Sequence, residues 1–419
     1  MPTFEEARCI ILDRVGILDS ETVDLLDSAG RVLAEDIAAP WNLPPCSNSA
    51  MDGYAVCAED CQGPVALPII DYVPAGGRAG KQLEPVTAIK IMTGAPIPDK
   101  CDSIVPLEQA REKDGLVHIT GGVRKHQHVR FAGEDVCKGE IVLRTGDIIR
   151  PIEVNMLAAL GKSRVAVFRR PRVAILATGD ELLALGESPC EGKIINSNSY
   201  GLAAAVKTLG AIPVLLGIAR DNVENHRELI SAGLNADALI TSAGVSVGDR
   251  DFVRHVLTEL AIEQVFWRVD VKPGKSFAFG IRDDVPVFAL PGNPVSTMLT
   301  FEEFVAPALR KMMGRKQVLP QMVAAELQND LKETPDRTCL ARVYTEYIDG
   351  KYVARSAGKQ ETGLTTTLRK ANSIAVLPPG FRTLTKGDHI TLHFLSSDAG
   401  SSGVIDPYFE VSCKRNQEL

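Results

Sequence analysis

Residues 172–182 read RVAILATGDEL, an unbroken apolar run that ends in a glycine and two acids. Runs of this kind are typical of strands that are buried on both faces, as the strands of parallel sheets are. The alternation continues to residue 314, where strand patterns such as AIPVLLGIA (211–219) are followed by helical ones such as NVENHRELISAGLN (222–235). Strands that alternate with helices in this way favour a doubly wound, parallel α/β sheet.

Glycines, acids, hydroxyls and lysines follow the predicted strands. The loops that carry them are TGDEL (178–182), Asp221, TSAGVSVGDRD (241–251), KPGK (272–275) and PGNPVS (291–296). In an open parallel sheet, ligands bind beyond the carboxyl ends of the strands, so these loops should converge on one site. Glycine backbones and helix starts offer N–H groups to phosphate, and lysines add positive charge. Carboxylates beside a bound anion would repel it unless a cation lies between them. Mg²⁺ fits this position, because it binds carboxylate oxygens together with substrate phosphates.

Each of these loops taken alone has an ordinary structural interpretation. TGDEL could be a turn with an Asp helix cap, KPGK a solvated turn, and PGNPVS the start of a helix. Their occurrence at successive strand ends favours a site for a phosphorylated ligand with Mg²⁺.

The segments on either side of residues 172–314 have different patterns. The chain starts with FEEARCIILDRV (4–15), whose apolar residues recur at helical spacing. Short β-like runs such as VALPII (65–70) then alternate with glycine- and proline-rich turns. Near the C-terminus, ARVYTEYIDGKYVARS (341–356) predicts a hairpin that turns at Asp349 and Gly350.

The composition excludes several classes of protein. A chain of 419 residues exceeds what one hydrophobic core serves, so several domains are expected. The net charge of −7 argues against binding to nucleic acid or to an anionic membrane surface. No apolar run approaches the ~20 residues that span a bilayer, and the acidic start MPTFEEARCI is unlike a signal peptide. The nine scattered cysteines predict reduced thiols, and we expect a cytoplasmic protein.

The loop motifs also match a known family. TGDEL, SAGVSVGDRD, KPGK and PGNPVS, together with NSAMDGYAV (48–56), IMTGAPIP (91–98) and FAGEDV (131–136), resemble the molybdopterin molybdotransferases. These are the molybdenum-insertion enzymes of molybdenum cofactor biosynthesis, and the same module forms the C-terminal part of gephyrin. The resemblance runs over nearly the whole chain, in order.

The resemblance implies an α/β multidomain fold. Its expected parts are an elongated linker domain (1–45 and 147–171), an inserted β-rich domain (46–146), a doubly wound molybdopterin-binding α/β domain (172–315) and a C-terminal β barrel (316–419).

The activity that the resemblance implies is Mg²⁺-dependent transfer. Adenylyl-molybdopterin (molybdopterin-AMP) and molybdate, or the similar tungstate, would react to give molybdenum cofactor and AMP. A homodimer is implied, with the inserted domain of one subunit facing the α/β domain of the other. Contact with the adenylyltransferase and with apo-molybdoenzymes is also implied, and neither nucleic acid nor membrane is expected as a partner.

Residue roles carry over from the resemblance position by position. The expected catalytic residues are Asp52, Thr93, Asp135, Glu181, Asp221, Asp251, Lys272 and Lys275. The expected substrate contacts are Thr178, Gly179, Asp180, Ser242, Gly244, Ser246, Gly248, Arg268, Pro291, Gly292, Asn293, Pro294 and Ser296. The expected Mg²⁺ ligands are Glu181, Asp221 and Asp251. On the same basis we favour Asp251 over Asp249 as the site carboxylate of its loop.

The sequence departs from the family at two residues near the expected site. Ala243 stands where the family often has glycine, and its methyl group would lie close to a ligand if the backbone approaches it tightly. Arg268 stands where some relatives carry lysine, which keeps the charge but changes the contact geometry.

Two other functions remain open from the residues. A nucleotide-processing hydrolase of the competence-damage type shares the TGDEL-like strand end and the glycine-rich acidic loop, but lacks the NSAMDGYA and MTGAPIP modules. A gephyrin-like scaffold is the non-enzymatic alternative, although the chain has no Pro/Ser-rich linker or fused partner-binding segment.

Overall fold

The computed structural model describes residues 1–244, 252–331, 336–380 and 383–395. The chain divides into two compact units, which we call the main unit (1–34, 146–150 and 165–419) and the insert unit (35–145 and 151–164). The four domain boundaries expected from the sequence stay a prediction.

A capped helix opens the main unit, as its apolar spacing predicts. Helix α1 (Phe4–Arg14) begins with a capping box, in which Thr3 Oγ1 accepts from the Glu6 backbone N–H and the Glu6 carboxylate accepts from the Thr3 N–H. Strand β1 (Ser20–Asp24) and a 3₁₀ turn (Leu25–Ser28) follow.

The insert unit is rich in short strands, as its turn-rich sequence predicts. Its elements are β2 (Ile37–Ala38), β3 (Asn48–Ser49), β4 (Gly53–Val56), β5 (Val65–Val73), β6 (Ala88–Ile91), β7 (Ser103–Pro106), β8 (Ala110–Lys113), β9 (Leu116–Ile119), β10 (Val129–Arg130), β11 (Ile141–Leu143) and α2 (Pro151–Ala159), with 3₁₀ turns at Ala58–Cys61 and Leu107–Gln109. Six strands form one sheet in the order β7-β4-β6-β5-β9-β8. Two-stranded pairs, β3 with β10 and β2 with β11, complete the unit.

The α/β part of the main unit starts at β13. Strand β12 (Arg164–Phe168), which pairs with β1, precedes it. The elements of the α/β part are β13 (Arg172–Thr178), β14 (Leu182–Leu183), β15 (Ile194–Ile195), α3 (Asn198–Thr208), β16 (Ile212–Ala219), α4 (Val223–Gly233), β17 (Ala238–Ser242), α5 (Phe252–Glu259), β18 (Glu263–Phe266), β19 (Val271–Lys272), β20 (Ala278–Arg282), β21 (Val285–Leu290), α6 (Pro294–Thr300) and α7 (Ala306–Met312). The sheet has the order β16-β13-β17-β21-β20-β18. The first four strands are parallel to one another, and β20 runs antiparallel to both of its neighbours, β21 and β18.

Both faces of this sheet are covered, which confirms the doubly wound fold. Ile175 packs in one core cluster with Leu202 of α3, whereas Leu176 packs in another with Ile230 of α4. Neighbouring residues of a strand point to opposite faces, so the unbroken apolar run of β13 serves two cores. Strand β16, the next long strand after β13, lies on one side of β13 within the sheet, and β17 lies on its other side. A ligand crevice is expected where the strand order reverses, at the carboxyl ends of β13 and β17.

One strand differs from its sequence pattern. The run VFWRVDV (265–271) predicts a single strand, but β18 ends at Phe266 and β19 begins at Val271. Strand β19 leaves the α/β sheet and pairs in parallel with a strand of the C-terminal region. Arg268 lies in the break between the two strands.

The long helix predicted after Asn293 contains a π-helical segment (Phe301–Val305) between α6 and α7. Pro307 explains it, because proline has no N–H to donate to the carbonyl four residues earlier and its ring crowds that carbonyl. The displaced carbonyl, that of Glu303, accepts a hydrogen bond from Arg8 Nε at 3.0 Å.

The C-terminal strands close into a five-stranded barrel, as predicted. Its elements are β22 (Val323–Leu327), β23 (Thr338–Ile348), β24 (Lys351–Ser356), α8 (Thr365–Lys370), β25 (Ser373–Leu377) and β26 (His389–Phe394). The ring runs β23-β24-β22-β26-β25 and closes through the β23–β25 pairing. The predicted hairpin turn is confirmed, with both Asp349 and Gly350 in the left-handed region.

Across the described ranges, we find no helix with the length and apolar character needed to cross a membrane.

Candidate functional site

A cavity of about 780 Å³ lies in the main unit at the carboxyl ends of β13, β17 and β21. This size is typical of small-molecule sites. Ten of the residues expected as site residues line it: Glu181, Ser242, Gly244, Arg268, Lys275, Pro291, Gly292, Asn293, Pro294 and Ser296. The other lining residues are Leu182, Ile194, Ile195, Asn196, Ser197, Asn198, Ala243, Gly274 and Ser276.

The loop after β13 brings Glu181 to the cavity. Gly179 has φ +133, a backbone conformation that residues with a Cβ rarely adopt, so glycine is needed at this position. No described residue forms a hydrogen bond or ion pair with that carboxylate. It is therefore available to a ligand or a metal ion.

Two cations hold the same loop through its backbone. Lys193 Nζ donates to the carbonyl of Asp180 at 2.7 Å, and Arg220 donates to the carbonyl of Leu182 at 2.9 Å. Since both cations bind carbonyl oxygens, the positive charge fixes the loop without neutralising the Glu181 carboxylate.

Asp180 and Asp221 lie together but do not line the cavity. The backbone N–H of Asp221 donates to Asp180 Oδ1 at 3.2 Å. Asp221 comes just before α4, whose N-cap Asn222 accepts a hydrogen bond from the Asn225 N–H. Thr178, at the end of β13, is buried, and its hydroxyl donates to the carbonyl of Ser242 at 3.4 Å.

Two of the three expected Mg²⁺ ligands lie in the described part of the chain. Glu181 and Asp221 supply carboxylate oxygens, which suit Mg²⁺, and they follow the neighbouring strands β13 and β16. Within the described ranges, no three acidic, histidine or cysteine side chains form a metal-binding group. The third expected ligand, Asp251, lies outside the described residues, as do Ser246, Gly248 and Asp249. The described donors thus fit a partial set, and the complete set stays a prediction.

Two cations face the cavity from the segment between β18 and β20. Arg268 and Lys275 are exposed, and no described side chain pairs with either of them. Gly274 lets the loop pass close to α6, because a Cβ atom there would lie 2.5 Å from Thr300 Cγ2. Lys272 does not line the cavity. It belongs to β19, which pairs with β23 of the barrel.

A hydroxyl organises the loop after β21. Thr297 Oγ1 donates to the carbonyls of Pro291 and Asn293, at 2.5 and 3.0 Å. Pro294 occupies the first turn of α6, with Asn293 at the N-cap. The Asn293 side chain donates to Thr362 Oγ1 of the barrel region at 3.3 Å.

Sequence reasoning missed the segment Ile194–Asn198. Asn198 is the first residue of α3, and its side-chain amide donates toward Ser242 Oγ, the Gly292 carbonyl and Thr297 Oγ1. The signal that could have found it is the run NSNS (196–199) directly before a helical pattern, which is typical of a helix start.

Ala243 adopts the left-handed conformation, with φ +74. Its backbone N–H donates to the Leu290 carbonyl at 3.1 Å. A Cβ atom built on Gly292 would lie 3.1 Å from the Ala243 methyl group, so the methyl packs against the loop after β21.

The remaining expected residues belong to the insert unit. Thr93 donates to Asp52 Oδ1 from both its backbone N–H and its hydroxyl, each at 2.7 Å. These hydrogen bonds hold the pKa of Asp52 below its ordinary value, and the bond from the backbone N–H has the larger effect. Asp135 is exposed, and its backbone N–H donates to the Leu43 carbonyl.

Three separate motifs meet in this unit. Ser49 exchanges backbone hydrogen bonds with Gly94 and Ala95, which joins NSAMDGYAV to IMTGAPIP. Strand β10, which pairs with β3, leads directly into FAGEDV.

Comparison with known families covers almost the whole chain. The N-terminal region of MoeA (domains I and II) matches residues 2–161, a probable molybdopterin binding domain matches 174–311, and the MoeA C-terminal region (domain IV) matches 324–395.

Individual proteins are similar over the same length. A molybdopterin molybdenumtransferase of Haemophilus influenzae is 35% identical over 94% of this chain and 98% of its own length. One from a Nostoc species is 36% identical over 93% of both chains. A crystal structure of the molybdopterin biosynthesis moeA protein of Pyrococcus horikoshii OT3 has a TM-score of 0.81 and 32% identity, and the match covers 94% of this chain and all of that one.

Proposed function

The chain belongs to the molybdopterin molybdenumtransferase family, and we propose that it inserts molybdate into adenylyl-molybdopterin in the cavity of the main unit and releases AMP. Membership places it among the transferases of molybdenum cofactor biosynthesis. The match extends over all three parts of the chain, so a nucleotide-processing hydrolase is not favoured. A scaffold is not favoured, because the similar proteins are named molybdopterin molybdenumtransferases.

One observation carries the proposal. The cavity combines two cations, Arg268 and Lys275, with a carboxylate, Glu181, and none of the three is engaged by a described side chain. The two side-chain cations can bind the phosphate groups of a substrate, and the carboxylate can bind a divalent metal ion. The combination fits a phosphorylated substrate that binds together with such an ion.

The residues of the chain have distinct tasks in this mechanism. Arg268 and Lys275 bind phosphate oxygens and stabilise the negative charge that develops when the phosphoanhydride breaks. Glu181 and Asp221, with Asp251, would hold Mg²⁺, which would supply further stabilisation of the phosphate charge. The loops at Ser242–Gly244 and Pro291–Pro294 orient the substrate through backbone groups and hydroxyls. Molybdate is a substrate in this scheme.

The insert-unit residues belong to the same proposal through the family resemblance. We propose a homodimer in which Asp52, Thr93 and Asp135 of one subunit complete the site of the other. The cytoplasm is the proposed compartment. The adenylyltransferase that supplies the substrate and the apo-molybdoenzymes that receive the cofactor are the proposed partners.

AMP release is the direct test. Purified protein should release AMP from adenylyl-molybdopterin only when molybdate and Mg²⁺ are both present, and a chelator should abolish the release. Glu181→Gln should lower the rate by about 10²-fold, because it removes a charge from the metal site. Glu228→Gln, at an exposed position of α4, is the matched control and should retain the wild-type rate. Competition between molybdate and tungstate in this assay would define the preferred oxyanion.

Absence of molybdate-dependent AMP release from the wild-type protein would refute the proposed reaction. Light scattering tests the homodimer separately. A strictly monomeric protein with full activity would remove Asp52, Thr93 and Asp135 from the proposed site.

A further inference from the structure

Asn198 connects three elements around the cavity. Its half-buried side-chain Nδ2 lies 2.8 Å from the Gly292 carbonyl oxygen, 2.9 Å from Ser242 Oγ and 3.3 Å from Thr297 Oγ1. These partners belong to the loop after β21, the end of β17 and helix α6. One amide group thus holds together loops that come from distant parts of the chain.

The hydrogen bonds also fix which way the amide points. A carbonyl oxygen can only accept, so Nδ2 and not Oδ1 must face Gly292. Oδ1 is then directed away from this partner, and no described residue donates to it. Because the residue lines the cavity, Oδ1 is an acceptor available to a bound ligand.

The backbone before Asn198 is fixed by a second asparagine. Asn196 is buried; its Oδ1 accepts from the Ser199 N–H at 3.2 Å, and its Nδ2 donates to Ser199 Oγ at 3.0 Å. These bonds set the start of α3 and hence the position of Asn198. A site side chain that is held by supporting hydrogen bonds needs little reordering when a ligand binds.

We propose that Asn198 is both a positioning residue for the Ser242 and Gly292 loops and the acceptor, through Oδ1, of a hydrogen bond from the 2-amino group of the substrate's pterin ring. The inference rests on the proposed function, which supplies a pterin as the ligand. The pyrimidine edge of a pterin carries an amino group and a ring N–H, which are donors. A site that binds a donor by hydrogen bonding discriminates against an analogue that lacks it.

Binding of two ring analogues tests the acceptor role. Pterin (2-amino-4-oxopteridine) carries the amino group, whereas lumazine (2,4-dioxopteridine) has a carbonyl oxygen in its place. The full-length wild-type protein should bind pterin at least about tenfold more tightly than lumazine. In Asn198→Ala both ligands should bind more weakly, and the ratio of their dissociation constants should fall to about one.

Two further variants separate the acceptor from the positioning role. Thr297→Val keeps the branched side chain but removes the hydroxyl that ties the loop, so both ligands should weaken together and the ratio should persist. Asn198→Asp replaces the Nδ2 donor with an acceptor oxygen that would face the Gly292 carbonyl, so loss of the positioning role should weaken the binding of both ligands. A thermal melt of each variant confirms that it is folded.

Three outcomes would overturn the inference: no preference for pterin in the wild-type protein, an unchanged ratio in Asn198→Ala, or wild-type affinity for both ligands in Asn198→Asp. The AMP-release assay keeps this result distinct from the proposed function. AMP release with an unaffected ratio refutes only the role of Asn198. A ratio that responds to Asn198, without AMP release, refutes only the proposed reaction.

Discussion

Ala243 is one of the described residues other than glycine that adopt the left-handed conformation, and it lies beside the cavity. The left-handed conformation costs an L-residue with a Cβ roughly 1–2 kcal/mol, which is why glycine usually occupies such positions. Here alanine occupies it, next to the glycine at 292. The methyl group narrows the space between the loops after β17 and β21.

Ala243→Gly should therefore stabilise the main unit by about 0.5–1 kcal/mol, since relief of the left-handed strain outweighs the added flexibility of the unfolded chain. Urea denaturation can follow this unit alone, because in a Trp41→Phe background Trp267 is the only tryptophan. The control is Ala204→Gly, at an exposed position inside α3, which should destabilise by about 1 kcal/mol. Equal midpoints for Ala243→Gly and wild type would show that the site is unstrained.

Reasoning from strand topology could predict only those site residues that the sequence places at a strand end, whereas Arg268 was expected from the family resemblance. Glu181 and Ser242 come directly after apolar runs, so their position followed from the topology of a parallel sheet. Asn198 could not be found in this way. Its partners are 44, 94 and 99 residues away along the chain, and only the folded sheet brings them within hydrogen-bond distance.

At the scale of elements, the segment from β19 to Lys275 links two folds. Strand β19 pairs with the barrel, and the loop that follows presents Lys275 to the cavity. Gly274 must remain small, because Thr300 of α6 lies against it.

Gly274→Ala should displace the loop and lower the rate of AMP release about 10²-fold, since a shift of about 1 Å at a reacting group has effects of this size. Gly186→Ala is the matched control: Gly186 also has positive φ, but a Cβ atom there would meet no other atom within 4 Å. Any loss of activity should be small there. Similar rates for both variants would show that close packing at Gly274 does not position Lys275.

The helix that starts at Pro294 was predictable as an element, but its π segment was not. Pro307 predicts that the helical hydrogen bond to the carbonyl four residues earlier is missing. Which residue then donates to that carbonyl depends on the tertiary structure. That residue is Arg8 of α1, which donates to both the carbonyl and the carboxylate of Glu303. The strand break at Arg268 is similar, because it depends on pairing between β19 and the distant β23.

Arg8→Ala should destabilise the main unit by about 3 kcal/mol. It removes one cation from the fully buried Glu303 carboxylate, and breaking a buried ion pair costs this much. Arg14→Ala, on the same helix, removes an exposed pair with Glu263 and should leave the urea midpoint nearly unchanged. If the two variants unfold at the same urea concentration, the Glu303 pair does not stabilise the unit.

At the scale of the molecule, a buried histidine joins the barrel to the α/β part. His393 Nε2 donates to the Glu303 carboxylate at 2.8 Å, and Nδ1 lies 3.1 Å from the Phe394 carbonyl oxygen. Both ring nitrogens face acceptors, so the imidazolium form satisfies both contacts. Burial lowers the pKa of His393, but the hydrogen bond and the charge of Glu303 outweigh it and raise the pKa above 6.5.

The stability of the main unit should consequently depend on pH. A raised pKa means that the contribution of His393 is fully present below pH 6.5 and is lost as the pH rises through the folded-state pKa. The urea midpoint of the wild type should therefore fall as the pH rises above 6.5. In His393→Gln, which keeps a donor but does not titrate, this decrease should be absent. A parallel decrease in both proteins would assign it to other groups.

The architecture was the most predictable level of this protein. Unbroken apolar runs that alternate with helical patterns predicted the doubly wound sheet. The hairpin sequence around Asp349 and Gly350 predicted that the C-terminal region consists of β strands. Closure of the barrel could not be read from local patterns. It requires β23 to pair with both β24 and β25, and the second pairing joins strands separated by helix α8.

The packing of α1 has a consequence for synthesis on the ribosome. Arg8 meets Glu303, which emerges 295 residues later; at roughly 5–20 residues per second this is a delay of about 15 to 60 s. An isolated helix of this length is only marginally stable in water. Its apolar residues Phe4, Ala7 and Ile11, which are buried in the folded protein, stay exposed to solvent until that part of the chain has been made. The first helix to be translated is therefore among the last to reach its native contacts.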